Sequence, residues 1–324
     1  MKQIFRILGG LLTLAVVVVV VFALYVQARG IPRYTVPQVA AAAVAPGAPA
    51  QLALGEKLVQ ASCADCHLNQ QTGRLSGHQL LDTPKEFGAV YAANITQDPA
   101  HGIGAWTDAE IVALLRTGIG RDQRYRLIMP HFVYMSDEDV QAVLAFLHSG
   151  HPWVKADPTP SHEQEPSFLL KALANTVMKP TPLVPGPHVA PAPTDTVAYG
   201  HYLVVGRYQC YECHSHDFKT NNALHPEQSA GYLGGGNALV DAQGQPVLSR
   251  NITGDRATGI GTWTPAQLAA ALRVGQSPHG PLRAPMPKYT TMTDAETAAL
   301  YAYLQSVPKL TNNVPLSSPA VATR

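Results

Sequence analysis

The sequence predicts an all-α chain in which one helical unit is written twice behind an N-terminal apolar helix. Three observations predict it. Short blocks of sequence recur at a fixed offset along the chain. Each copy carries the same helix-start signals, a Ser or Thr followed three residues later by an acid or amide. And residues 7–26 run for 20 positions without a charge, long enough to cross a bilayer core as a helix.

The first element, residues 1–28, reads as a membrane anchor. Lys2 and Arg6 precede the apolar run, and a valine block at 16–21 lies at its centre. A cleaved signal peptide is the rival reading, but its apolar region is about 7–15 residues long. Val26-Gln27-Ala28 is a poor match to a cleavage site. Residues 29–50 are rich in Pro and Ala and predict a semi-rigid stalk that holds the first folded unit off the membrane. Two units are expected at 51–150 and 198–310, joined by a Pro-rich linker at 151–197 with one short helix at 167–178, and followed by a tail at 311–324. The linker helix is apolar on most sides and is expected to pack against both units. Charged residues make up only 14% of the chain and the net charge is +1, which excludes a nucleic-acid-binding surface of the usual basic kind.

The repeat fixes the internal plan of each unit. Asn94-Ile95-Thr96 returns as Asn251-Ile252-Thr253, Gly102-Ile103-Gly104 as Gly259-Ile260-Gly261, Leu115-Arg116 as Leu272-Arg273, and Met129-Pro130 as Met286-Pro287. Each pair is offset by 157 (286 minus 129). A first helix is expected at 52–66 and at 199–213. A middle helix opens at Thr107…Glu110 and at Thr264-Pro265…Gln267. A last helix opens at Ser136…Asp139 and at Thr293…Glu296, with apolar residues at helical spacing behind it: Val140, Val143, Leu144 and Leu147, then Leu300, Tyr301 and Leu304. The second copy holds ten extra residues between 214 and 251, rich in Gly, which predict a hairpin or flap.

All four cysteines of the chain fall in two short runs, Cys63-Ala64-Asp65-Cys66-His67 and Cys210-Tyr211-Glu212-Cys213-His214. C-x-x-C-H is the attachment pattern of a c-type haem. The thiols become thioethers to the ring's vinyl groups, and the adjacent histidine supplies the proximal nitrogen to iron. One helical turn places both sulfurs along one ring edge and the imidazole beneath its centre. A shared zinc site is the rival, but the two pairs lie 147 residues apart (210 minus 63) in separate copies of the repeat. A thioredoxin-like pair needs a βαβ setting, and none is visible. Two covalently bound haem c groups are therefore expected, on Cys63, Cys66, Cys210 and Cys213, with His67 and His214 as axial ligands.

An electron-transfer haem needs a second axial ligand. Two methionine pairs recur in register, Met129 with Met286 and Met135 with Met292. Met135 and Met292 stand directly before helix caps, where an apolar residue packs back on the first turn. Met129 and Met286 stand in irregular loops before a proline that keeps the chain extended. The expected ligands are Met129 and Met286, with the other pair as the alternative. Of the 13 histidines, His131, His279 and His101 lie near these loops but do not recur; a surface or propionate-side place is expected for them. Arg116, Arg273, Trp106 and Trp263 occupy matched positions and are candidate propionate contacts. Methionine opposite histidine, in an apolar pocket, favours the ferrous state and a relatively high potential.

These residues resemble the class I c-type cytochromes, and more narrowly the cytochrome subunits of membrane-bound alcohol and gluconate dehydrogenases. That family carries C-x-x-C-H, an N-I-T-P-D run leading to T-G-I-G-x-W, then L-R-x-G and M-P before a final helix. Here the runs read Asn94-Ile95-Thr96-Gln97-Asp98 and Asn251-Ile252-Thr253-Gly254-Asp255, so the family proline is replaced in both. The chain departs from those subunits in having two haem motifs rather than three, and in its N-terminal apolar segment. The resemblance, over about residues 50–310, implies a tandem of two class I cytochrome c domains with the ligand set named above.

The expected function is that of a dihaem electron carrier and not an enzyme. It would be anchored in the inner membrane with its haem domains on the periplasmic side, the side on which such haems are attached. Its partners would be redox proteins, a dehydrogenase, an oxidase or a small cytochrome, with no small-molecule substrate evident. A permanent subunit of a dehydrogenase or terminal oxidase is the first alternative. A dihaem peroxidase is the second; the methionine loops in both copies argue against the open iron position it needs.

Overall fold

The computed structural model describes residues 2–39 and 47–315. Ten α-helices carry the described chain. Helix α1, Lys2–Arg29, is the apolar segment, long and apolar enough to cross a membrane, and its apolar stretch is uncovered by the rest of the protein. Two helix pairs then repeat one geometry. In the first, α2 (Pro49–Ser62) leads into the short α3 (Ala64–His67), followed by α4 (Asp108–Thr117) and α5 (Asp137–Leu147). Then comes α6 (Phe168–Thr176). The second set is α7 (Thr196–Tyr202), α8 (Cys210–His214), α9 (Pro265–Val274) and α10 (Asp294–Ser306).

The helix boundaries follow from capping. Thr107 and Glu110 close a capping box on α4, as do Thr264 and Gln267 on α9 and Thr293 and Glu296 on α10. Both middle helices stop at a glycine in the left-handed region, Gly118 at φ 76° and Gly275 at φ 74°, where a side chain would be strained. On α5, Ser136 caps the Asp139 N–H, but Asp139 does not reach back to complete the box. Its carboxylate is taken by Arg207 and Tyr202 instead.

The first helix of each unit packs across the last. At that crossing sits a glycine in each copy, which the repeat alone did not single out. A Cβ on Gly55 would lie 2.0 Å from the Ala142 carbonyl oxygen, and one on Gly200 would lie 2.1 Å from that of Ala299. No side chain fits there, so the helices approach backbone to backbone. Around each crossing lies a separate buried cluster. Leu58, Val59, Ile111, Leu115, Phe132, Val143, Leu144 and Phe146 fill the first, and Leu203, Val204, Ile260, Leu268, Leu272, Leu300, Tyr303 and Leu304 the second.

The expected first helices are present but broken. After α2, Cys63 leaves the helix (φ −120°) before α3 resumes. In the second copy Cys210 stands ten residues beyond Gly200, whereas Cys63 stands eight beyond Gly55. The extra length is taken up by a π-helical turn, Leu203–Arg207, and by Gln209 at φ 49°. The insert forms an antiparallel hairpin, as expected, with β3 (Ala238–Val240) paired to β4 (Pro246–Leu248). Short pairings unannounced by the sequence join β1 (Gly88–Ala89) to β2 (Glu165–Pro166), and β5 (Gln276–Ser277) to β6 (Gly280–Pro281).

Two expectations about the connections are corrected. The start of the stalk runs along the first unit instead of spacing it off. Tyr34 donates its N–H to the Gln123 carbonyl at 2.9 Å, its ring packs edge-on to Tyr125, and Pro32 is buried. Residues 40–46 of the stalk and 316–324 of the tail lie outside the described residues. The linker helix α6 packs against α1 and the turn Lys85–Phe87, not against both buried clusters. Its buried residues Leu170 and Ala174 belong to neither cluster, and the helix covers the end of α1 instead.

Candidate functional site

Each C-x-x-C-H run sits at a helix end tied by the same two bonds. The His67 backbone carbonyl accepts from the Gly77 N–H at 2.8 Å, and that of His214 from Gly235 at 2.6 Å. Gly77 (φ 78°) and Gly235 (φ 70°) are both left-handed, and a Cβ on either would collide with backbone. The imidazoles are fixed by a second matched bond. His67 Nδ1–H donates to the Ala93 carbonyl at 2.7 Å, and His214 Nδ1–H to that of Arg250 at 2.7 Å. A carbonyl only accepts, so Nδ1 carries the proton and the Nε2 lone pair is left for a metal. Burial lowers the pKa of both histidines, only partly offset by these hydrogen bonds, which favours the neutral ligand form.

Burial also pushes the Cys63, Cys210 and Cys213 thiols up to about 12 and Cys66 up to about 11. Such thiols stay neutral and are poor nucleophiles or zinc ligands. Among the described residues no three His, Cys, Asp or Glu side chains converge on a metal position. The two cysteine pairs therefore do not share one zinc. A half-buried thiol pair beside an imidazole with a free Nε2 fits covalent haem c in both runs.

The Asn-Ile-Thr blocks brace this arrangement. Asn94 Oδ1 accepts from the Thr96 N–H and hydroxyl, while its amide donates to the Asp157 and Thr159 carbonyls at 2.9 Å. Asn251 does the same with Thr253 and donates to the Leu310 carbonyl and Thr258 hydroxyl. Each ties the segment below the imidazole to chain beyond the last helix.

The methionines divide as their loops require. Met135 and Met292 are buried within the two clusters. Met129 and Met286 are partly exposed in irregular loops at the cluster edges. Trp106 and Trp263 are half-buried against the same clusters. The arginines are engaged otherwise than expected. Arg116 Nη1 donates to the carbonyls of Phe132 (2.8 Å), Val133 (3.0 Å) and Met135 (2.6 Å), and Nη2 donates to Asp137 at 3.0 Å. Arg273 donates to the Met292 carbonyl and to Asp294, each at 2.7 Å. Both guanidiniums clamp the loop before the last helix, because its carbonyls point inward with no strand or helix to satisfy them. For Arg116 this leaves little of the donor set for a propionate.

His131 is not a surface residue. Its Nδ1 pairs with the Thr181 hydroxyl at 2.9 Å, its Nε2 is buried against Gly118 with no partner, and burial pushes its pKa down to about 4. Its backbone carbonyl accepts from the Gln209 side chain at 2.7 Å. Thus the loop after Met129-Pro130 touches the residue before Cys210. Tyr289, in the loop after Met286-Pro287, is buried against Tyr208 of its own unit, ring centroids 4.9 Å apart, and that burial holds its phenol far above the usual range.

Comparison with known proteins identifies relatives of the chain. Residues 50–147 match the family of cytochrome c oxidase, cbb3-type, subunit III. The chain is 33% identical over 262 residues to the fructose dehydrogenase cytochrome subunit of Gluconobacter japonicus, covering 77% of this chain and 51% of that protein. It is 28% identical over 267 residues to the cytochrome c subunit of alcohol dehydrogenase (quinone) from Gluconobacter oxydans (strain 621H), covering 78% and 54%. To a diheme cytochrome c-type protein of Cereibacter sphaeroides it is 29% identical over 276 residues, covering 79% and 86%. The chain spans about half the length of the first two. The helix-rich chain with this family match is of the c-type cytochrome class. More particularly, the chain carries a cytochrome c domain over residues 50–147 and is a relative of the cytochrome c subunits of sugar and alcohol dehydrogenases.

Proposed function

We propose that this chain is a membrane-anchored dihaem electron carrier built as two tandem cytochrome c domains, at 51–150 and 198–310, joined by the Pro-rich linker at 151–197. The observation that carries the reading is the twin imidazole geometry, His67 on Ala93 and His214 on Arg250, each beside its half-buried cysteine pair. Cys63 and Cys66 hold one haem c and Cys210 and Cys213 the other. His67 with Met129, and His214 with Met286, would supply the iron ligands. Haem c bound in this way supplies reversible one-electron chemistry.

The protein's own residues do the rest. The carbonyls of Ala93 and Arg250 orient the imidazoles. The apolar clusters exclude water and lower the local dielectric, which disfavours the added charge of the oxidised state. Gln209, donating to the His131 carbonyl, ties the first methionine loop to the second attachment run. Haems held by the two runs would pass single electrons between redox proteins. The anchor is α1, residues 1–28 of the chain form it, and the haem-bearing part lies on the periplasmic face of the inner membrane.

A second reading is a bound electron-transfer subunit of a dehydrogenase, favoured by the relatives that are such subunits. A redox-titrated optical spectrum of the purified full chain tests the first statement. Two haems per chain, each with the weak red-edge ferric band of sulfur ligation, are expected. One haem, or a five-coordinate iron at rest, would overturn it. Co-purification of a flavin or quinone dehydrogenase from native membranes would decide for the second reading.

A further inference from the structure

Helix α6 was expected to be an inter-unit brace, and it serves a different element. It packs on the last turns of α1, where the apolar run ends. Val26 of α1 is fully buried there, as is Ala174 of α6, and Leu170 is nearly so. Polar bonds lock the joint. Asn175 donates to the Gly30 carbonyl at 2.8 Å and accepts from Arg29 at 3.2 Å, and Lys171 donates to Gln27 at 3.2 Å.

The helix cannot swing away from this place. Ser167 caps it and bonds back to the turn Lys85–Phe87, its N–H on the Phe87 carbonyl at 2.9 Å and its hydroxyl on that of Glu86. Lys179 donates to the Asn175 carbonyl at 2.9 Å at the other end. Yet one face of α6 has no partner in the protein. Phe168 is 47% exposed and Leu169 45%, and Val177, just beyond the helix, is 71% exposed. At 100° per residue Phe168, Leu169 and Thr176 share one side, with Ala172 between them. The buried Leu170 and Ala174 lie on another.

The helix that bears this face packs on the end of α1, whose Leu24 and Tyr25 are likewise bare, 66% and 50% exposed. Arg29 and Lys171, both at the joint, put cations where an apolar span leaves the bilayer. We propose that α6 lies in the membrane interface, with Phe168 and Leu169 inserted among lipid headgroups and upper acyl chains. There it fixes the tilt of the haem-bearing part over the bilayer. An amphipathic helix at this depth binds through buried apolar area together with attraction to anionic lipid. The inference rests on the reading of α1 as a retained anchor. It also gives that anchor a structural role, because removing α1 would strip the cover from Leu170 and Ala174.

The test uses the full haem-loaded chain, in which the native cysteines are thioethers and one introduced cysteine is the sole thiol. Leu169→Cys, Val18→Cys and Val274→Cys variants are spin-labelled and reconstituted into phosphatidylethanolamine–phosphatidylglycerol vesicles with the iron reduced. Collision with oxygen, which partitions into lipid, is compared with collision with a water-soluble nickel chelate. The label at 169 should favour oxygen severalfold over the chelate, as at 18 and unlike 274, an exposed site on α9. If 169 behaves like 274 while 18 remains lipid-like, the inference falls and the anchor stands. If 169 is shielded from both reagents, a second copy of the chain covers it and the lipid assignment is wrong. If 18 is not lipid-like, or the intact mass lacks the N-terminal segment, the anchor reading fails and takes this inference with it.

Discussion

Arg207 grips the carboxylate of Asp139 in a fork, Nε at 2.6 Å and Nη2 at 2.8 Å, with both side chains buried. Its remaining Nη1 donates to Glu296 at 2.7 Å and to the Tyr199 hydroxyl at 3.0 Å. Asp139 and Glu296 are the same position of the repeat, the third residue of α5 and of α10. Each is also reached from the opposite unit by the residue two beyond the crossing glycine. Lys57 pairs with Glu296, and the Tyr202 hydroxyl with Asp139. Two acids and two cations thus meet between the helix starts. Arg207 joins them because the π-helical turn displaces it from the course of a regular helix.

Removing Arg207 leaves two buried carboxylates short of a cation. Arg207→Ala should destabilise the fold by about 3–5 kcal/mol, the usual cost of breaking a buried ion pair on one side. Adding Asp139→Asn should recover part of that loss, giving a coupling of at least about 1 kcal/mol in a double-mutant cycle. Thermal melts followed by circular dichroism check this, and strict additivity of the two changes would refute it.

Acid should unlock the same contact. Burial alone would raise the Glu296 pKa, but hydrogen bonds from Lys57 and the Thr293 N–H, with the charges of Lys57 and Arg207, outweigh it and hold the group below its ordinary 4.5. A carboxyl depressed in the folded state stabilises the protein fully above its ordinary pKa, and this contribution is lost as pH falls through the folded value. Glu296→Gln should therefore be clearly less stable than the parent at pH 7. The gap should close in acid, once both side chains are neutral. A gap that stays constant between pH 7 and pH 3 would contradict the assignment.

The glycine crossings make a sharp comparison. Gly55→Ala and Gly200→Ala force a methyl onto a backbone oxygen and should each cost about 1–3 kcal/mol or more. Gly150→Ala, with nothing within 4 Å of the new methyl, should change stability by well under 1 kcal/mol. Denaturant titrations of the three variants decide it.

Methionine substitutions separate ligand from packing. Met129→Leu and Met286→Leu should each abolish the red-edge ferric band of one haem while changing stability by less than about 1.5 kcal/mol. Met135→Leu and Met292→Leu should keep both bands. Loss of a band in the second pair would move the ligand to the cap-preceding methionine.

The two arginine clamps are unequal. Arg116, 4% exposed, makes four hydrogen bonds, whereas Arg273 is half-buried and makes two, one of them to a well-exposed Asp294. Arg116→Ala should therefore lower the melting temperature more than Arg273→Ala. Equal losses would mean that the buried carbonyls find other donors.

Much of this was legible residue by residue. Capping boxes at Thr107, Thr264 and Thr293 are local chemistry, so their spacing located the helix starts directly. The C-x-x-C-H runs located the proposed attachment points, because that chemistry needs a fixed spacing within one turn. Gly55 and Gly200 carried a weaker signal. They stand 145 apart (200 minus 55), outside the register of the cysteine motifs, and their reason lies in the other helix. Arg116 and Arg273 were recognised as a matched pair but not for what they hold, since the carbonyls they satisfy belong to a loop whose course no periodicity encodes.

What the sequence determined by itself is everything set by contacts within a few residues: the helices, their caps, the hairpin insert, the paired attachment motifs and the apolar N-terminal segment. Only the tertiary structure decided that Arg207 and Lys57 cross between units, that the Met129 loop meets the residue before Cys210, and that α6 guards the end of α1. Those pairings join residues far apart in the chain, between 144 and 239 positions for the anchor joint and the Lys57–Glu296 pair. They depend on how whole helices are placed, and helix placement follows from shape and buried charge summed over many side chains, which no short run of residues carries.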